Sequence, residues 1–258
     1  MQDDLGAENV YLLFDDTKQS WPDPSLPAQR AAVAALERQP DNHVLLFNEE
    51  ECQAVNDRRY WTYGEYWQEP ALFLFIAWLD KREFDYVWSF EADVRCNGHY
   101  SRCLAPLASV SADLLCTSLL AYDDDKAWPH WRALGGELRS LPKRYPIKAY
   151  EPQDASPSTY IHRGCSSLSR LPCCSQRRSC FMPMRRLSRQ AVDAILGARA
   201  RSWGYCEVFF PTLLQDRGMV TAEIPAKALG AYRYRAAAAE AMAAAGAADN
   251  RFYHPVKT

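Results

Sequence analysis

No apolar run in this chain approaches the roughly 20 residues that cross a bilayer. The longest, Ala71 to Leu79, is far shorter, so no membrane span is expected. An excess of either charge is also missing, because 30 Lys and Arg stand against 32 Asp and Glu, for a net charge of −2. That balance gives no global attraction to nucleic acid or an anionic membrane, and no nucleic-acid partner is expected. The start, Met1-Gln2-Asp3-Asp4, is acidic where a secretory signal is basic, so no signal peptide is read. A Cys-x-x-Cys pair is absent too. Five of the nine cysteines (Cys165, Cys173, Cys174, Cys180 and Cys206) crowd behind His162, yet their spacing does not match a zinc site. Disulfides or reduced surface thiols fit better, and the odd total leaves at least one thiol outside any internal pair.

What is present is the composition of a soluble globular protein: 258 residues, 48% hydrophobic and 24% charged. Such a chain buries a sizeable core as one large α/β domain or two small ones. Eight tryptophans and fourteen tyrosines serve either that core or stacking platforms for sugars and bases.

The first half alternates strand and helix. Val10 to Phe14 reads as a strand ending in Asp15-Asp16-Thr17, and Ala28 to Arg38 has its apolar residues at helical spacing. His43 to Phe47 reads as a second strand, which makes a βαβ unit with a right-handed crossover. Tyr60 to Trp67 reads as a loop or short helix, and Pro70 opens a helix over Ala71 to Asp80. Phe84 to Phe90 and Ala112 to Leu119 read as further buried strands, and Cys96 to His99 as a turn. This is the signature of a mostly parallel sheet flanked by helices. Residues 121–180 are loop-rich and cover the sheet's active edge, with Asp123-Asp124-Asp125 as a solvated turn. Beyond them, Ser188 is an N-cap for a helix faced by Ala191, Val192, Ile195 and Leu196. Cys206 to Gln215 is a mixed segment interrupted by Pro211, with Gly218 as a C-terminal cap. The alanine-rich stretch Ala236 to Ala248 has high helix propensity but little to bury, so an exposed or loosely docked helix is expected.

Glu91-Ala92-Asp93 closes the aromatic strand. Two carboxylates one residue apart at a strand's carboxyl end cost several kcal/mol to bury unless a positive charge stands between them. In α/β sheets ligands bind at the carboxyl ends of strands, and a divalent metal carrying a diphosphate answers this arrangement. A solvated acidic pair is the plain alternative.

Taken with Glu207 in Glu207-Val208-Phe209-Phe210-Pro211-Thr212-Leu213 and with His254 near the end, the acidic pair resembles a glycosyltransferase of the GT-A type. Glu91-Ala92-Asp93 stands where that family has its D-x-D-like metal motif. The Glu207 stretch is similar to the Glu-x-x-x-Pro-Thr-Leu segment of branching N-acetylglucosaminyltransferases. Residues 88–119 also resemble GT-A-like proteins of algae and fungi.

The resemblance implies a single GT-A-like, Rossmann-like domain over 1–258, with a nucleotide-binding half (1–120), a loop-rich cover (121–180) and an acceptor-side half with a C-terminal tail (181–258). It implies transfer from a nucleotide-sugar donor to a carbohydrate or glycoconjugate hydroxyl, with Mn2+ or Mg2+ neutralising the leaving diphosphate. Asp93 would ligate the metal, with Glu91 on metal or ribose and His254 as a further ligand. Lys257 would meet a phosphate, and Asp15 and Asp16 would hold the base or ribose. Glu207 would accept the acceptor hydroxyl's proton, its pKa raised by the apolar residues that follow it. Some relatives work without metal, and Arg185, Arg186 and Lys257 would then carry the diphosphate.

Each residue has a plainer reading. Glu207 would be a helix-face charge, His254 and Lys257 a solvated tail, and Asp15 and Asp16 turn residues. Arg185 and Arg186 would pair with surface carboxylates, and Trp128 and Trp131 would be a packed loop rather than an acceptor-sugar floor. A non-catalytic sugar- or protein-binding relative is the first rival. A metal-dependent phosphoesterase is the second, though such sites commonly use several histidines and this chain has five in all. The location would be the Golgi or endomembrane lumen if an anchor precedes this sequence, and the cytoplasm otherwise.

Overall fold

A computed structural model of the chain describes residues 1–15, 26–39, 43–47, 83–125, 134–136, 177–198, 202–204, 206–232, 238–246 and 248–256. In order the elements are α1 (Gln2–Leu5), β1 (Tyr11–Asp15), α2 (Leu26–Glu37), β2 (His43–Phe47), β3 (Tyr86–Phe90), β4 (Arg95–Asn97), α3 (Tyr100–Ala108) and β5 (Leu114–Ala121). Then come β6 (Leu134–Gly136), β7 (Arg178–Ser188), α4 (Arg189–Ala198), β8 (Ser202–Gly204), α5 (Cys206–Asp216), β9 (Thr221–Glu223), β10 (Leu229–Tyr232), α6 (Ala238–Ala244) and β11 (Arg251–His254). The chain divides into two compact units, Met1–Glu83 with Arg95–Ser109 and Ala226–Thr258, and Phe84–Val94 with Val110–Pro225.

In the first unit β1 and β2 pair in parallel from Tyr11↔His43 to Asp15↔Phe47, as the strand–helix–strand pattern predicts. A second sheet has β11 at its centre, parallel to β10 and antiparallel to β4. The predicted turn at Cys96 to His99 is therefore half strand. Arg95–Asn97 joins β11, and the chain turns at Gly98, whose φ of +144° suits glycine. The alanine-rich α6 is largely exposed, as expected, and docks through Ala241 and Met242 on buried Tyr253 and Val256.

The second unit is built on a four-stranded sheet in the order β3-β7-β5-β9. Here β7 runs antiparallel to both neighbours, while β5 and β9 are parallel. The protein is thus α/β with mixed sheets, and the mostly parallel sheet read from the sequence is not what these strands form. The reason is β7, whose Pro183, Arg185 and Arg186 disguise a central strand. Arg186 is 1% exposed. Its Nη2 donates to the carbonyls of Val110 and Ala112, and its guanidinium lies 4.1 Å from the Tyr86 ring centroid. Arg185, also buried, lies 5.3 Å from the Phe210 centroid. Neither arginine sits on the surface, where pairing with carboxylates was expected.

Ser188 ends β7 and caps α4, as its place in the sequence predicts: its Oγ accepts the Ala191 N–H at 3.0 Å and donates to Asp113 at 2.7 Å. Ala191, Val192 and Ile195 of α4 are buried, together with Phe209, Phe210, Leu213 and Leu214 of α5. The segment Cys206–Asp216 is one helix despite Pro211, and Gly218 (φ +71°) follows it. Among the described residues no helix is long and apolar enough to cross a membrane.

Candidate functional site

Aromatic and β-branched residues make β3 a strand, and its ladder continues one step past Phe90. The Glu91 N–H donates to the Pro183 carbonyl at 2.7 Å. The chain then turns, closed by the Val94 N–H on the Glu91 carbonyl at 3.1 Å. Val94 is buried at the far end, so the turn is fixed at both ends while Ala92 is exposed and Glu91 and Asp93 are half-buried. A short, doubly anchored turn thus carries two carboxylates at the carboxyl end of a strand.

Glu207 lies in the first turn of α5 and is held by β7 through both side chain and backbone. The cause is a break in register between β5 and β7. The pairs Leu115↔Arg186 and Thr117↔Phe181 match two steps along β5 with five along β7. The N–H of Met182, in the looped-out stretch, donates instead to Glu207 Oε1 at 3.2 Å. Proline supplies the second link. Pro211 stands four residues after Glu207 and has no N–H for its carbonyl. The Cys180 thiol takes that place, with Sγ 3.7 Å from the Glu207 oxygen. Burial, first, and then the neighbouring Cys116 thiol push the Cys180 pKa well above its ordinary value, which keeps it a protonated donor.

Adjacent residues of one strand therefore hold both acidic segments: Met182 bonds the Glu207 side chain and Pro183 bonds the Glu91 backbone. Glu207 is not the solvated helix-face charge of its plainer reading, since its carboxylate is half-buried and bonded to backbone. It is flanked by buried Cys206, Val208, Phe209 and Phe210, the apolar setting that the sequence announces.

His254 belongs to the first unit. It closes β11, is 5% exposed, and has its ring 5.4 Å from that of Tyr232, its partner in register. It is therefore a strand residue and not part of a solvated tail. Asp15 ends β1 as expected. Asp16, Lys257, Trp128, Trp131, the predicted segments at 60–80, and His162 with Cys165, Cys173 and Cys174 lie outside the described residues. Cys180 and Cys206, expected in disulfides or as surface thiols, are buried thiols, as is Cys116.

Sequence reasoning missed the part played by Cys180 and Met182. Pro211 at the fourth place after Glu207 does announce an unserved carbonyl, but nothing local says which residue serves it. No family model matches the chain, and no curated protein matches it.

Proposed function

We propose that this chain is a glycosyltransferase of the GT-A type, moving a sugar from a nucleotide-sugar donor to a carbohydrate or glycoconjugate hydroxyl. The observation that carries the reading is the attachment of the Glu91–Asp93 turn and of Glu207 to neighbouring residues of β7. That couples an acidic turn suited to a metal–diphosphate with a carboxylate suited to a base.

The donor set fits a divalent ion. Glu91 and Asp93 each offer a carboxylate oxygen from one short turn. Carboxylate oxygens suit Mg2+ or Mn2+. When bound, the ion would neutralise the charge developing on the leaving diphosphate. Asp93 and Glu91 orient the donor, Asp15 and Asp16 hold its base or ribose, and Lys257 meets a phosphate as a point charge. Glu207 takes the acceptor hydroxyl's proton as the oxygen attacks the anomeric carbon, with inversion. In this reading β3, β5 and β9, which share one direction, are the donor-binding part of a GT-A sheet.

A second reading is favoured by the same Met182 bond. A carboxylate that serves a backbone N–H is also what a non-catalytic, sugar-binding relative would retain. Calorimetric titration with UDP, GDP and CMP, with and without Mn2+, on the wild type and Asp93→Asn separates the two. Mn2+-dependent binding of one nucleotide, lost in the variant, supports the transferase. Binding that ignores both metal and variant points to a metal-independent enzyme, and no binding favours the non-catalytic relative.

A further inference from the structure

We infer that the Cys96–Cys103 disulfide is a redox-opened brace for the strand that carries His254. The disulfide joins β4 to α3 across the turn at Gly98. Cys96 pairs in register with Phe252 on β11, two residues before His254, with Arg251↔Asn97 and Tyr253↔Arg95 on either side.

Polar contacts extend the tie in both directions. The Asn250 N–H donates to the Asn97 carbonyl at 2.8 Å, and the His99 N–H donates to Asn250 Oδ1 at 3.3 Å. Asn250 adopts a φ of +53°, a left-handed conformation that asparagine takes more readily than most non-glycine residues. The Asp249 carboxylate accepts from Asn97 Nδ2 at 3.1 Å and from the Tyr253 hydroxyl at 2.5 Å. Beyond the turn, Asp4 accepts the Tyr100 N–H at 3.0 Å and bonds His99 Nδ1 at 2.8 Å, fixing the start of α3. All but the Asp249–Tyr253 bond involve the segment that the disulfide closes.

On its other edge β11 pairs with β10, with an irregular register between Leu229↔Phe252 and Tyr232↔His254. The regular pairing of β11 is thus with β4, a strand of three residues. So short a strand does not hold its place through backbone hydrogen bonds alone. Its bond to buried Cys103 in α3 supplies the missing constraint.

Cys96 is half-buried, whereas Cys103 is 1% exposed, so exchange starts at the Cys96 sulfur. A dithiol reductant attacks that sulfur as a thiolate and forms a mixed disulfide while Cys103 leaves as a thiol. The reductant's second thiol then closes its own disulfide and releases Cys96 as a thiol, so two electrons and two protons pass from the dithiol to the pair.

The test is hydrogen–deuterium exchange of the peptide covering residues 249–256, with and without a dithiol reductant, while thiol alkylation and mass report the state of Cys96 and Cys103. Reduction should raise exchange across 251–254. The doubly substituted Cys96→Ser, Cys103→Ser protein should already exchange fast and show no response to reductant. Unchanged exchange at 251–254 after proven opening of the disulfide would overturn the brace, as would finding both thiols free in the untreated protein.

Discussion

Replacing Glu207 by alanine and by glutamine separates two tasks of its carboxylate. In the structure Oε1 accepts the Met182 N–H that the register break withdraws from β5. Alanine leaves that donor without its acceptor in a part-buried place, a loss of about 1–3 kcal/mol. For a protein of this size each kcal/mol moves the midpoint of thermal unfolding by roughly 2–4 °C. A loss of about 2 kcal/mol therefore lowers it by roughly 4–8 °C. Glutamine keeps an amide oxygen in the same position, so Glu207→Gln should melt close to the wild type. The proposed base, however, is absent from both variants, and transfer should fall by about 10²–10⁴-fold in each. Calorimetry gives the first quantity, and release of nucleotide from donor in the presence of acceptor gives the second. An alanine variant that melts with the wild type would refute the account of the register break. A glutamine variant with full turnover would remove Glu207 from the chemistry and leave its structural task intact.

Three further outcomes follow from the packing. Cys180→Ala should cost about 1–3 kcal/mol, because the Glu207 carbonyl loses the thiol donor. Pro211→Ala restores a backbone N–H there, so in a denaturant double-mutant cycle the two changes should couple by about 0.5–1.5 kcal/mol, and strict additivity would refute the pairing. A Cβ added at Gly230 would overlap the Tyr253 ring, whose hydroxyl is fixed by Asp249. Gly230→Ala should therefore lower stability by about 1–3 kcal/mol in urea unfolding, and an unchanged midpoint would show that the ring yields. The His99 side chain, first, and then the Tyr100 N–H hold the Asp4 carboxyl below its ordinary 3.8. Its contribution is complete above that value and is lost as pH falls through the lower folded-state value. The stability gap between wild type and Asp4→Ala should close in acid below 3.8, and a gap constant with pH would count against the pair.

Much of the frame was legible because it rests on local patterns. The Tyr11–Asp15 and His43–Phe47 strands with their intervening helix, the strand before Glu91 and the Ser188 cap all follow from periodicity and capping chemistry. Elements that depend on distant partners were not legible. Nothing near Arg185 and Arg186 reveals that Phe210, Tyr86 and the carbonyls of Val110 and Ala112 make a buried strand tolerable there. Pro211 argues against a helix until Cys180 is seen beside it. Of the candidate site, the acidic turn and Glu207 stood out by residue type. The attachment of Glu207 to the residue of β7 beside the one that holds Glu91 depends on a register break that sequence spacing cannot encode.

The position of β7 also has a consequence for how the protein is made. Phe90 must wait for Met184, and Leu114 for Leu187, before either strand meets its neighbour. On the ribosome β3 and β5 emerge long before the strand that separates them, with their edges open to one another and to other nascent chains. The second unit is thus committed to late closure, and its yield in a cell depends on what shields those two edges until Ser188 has left the exit tunnel.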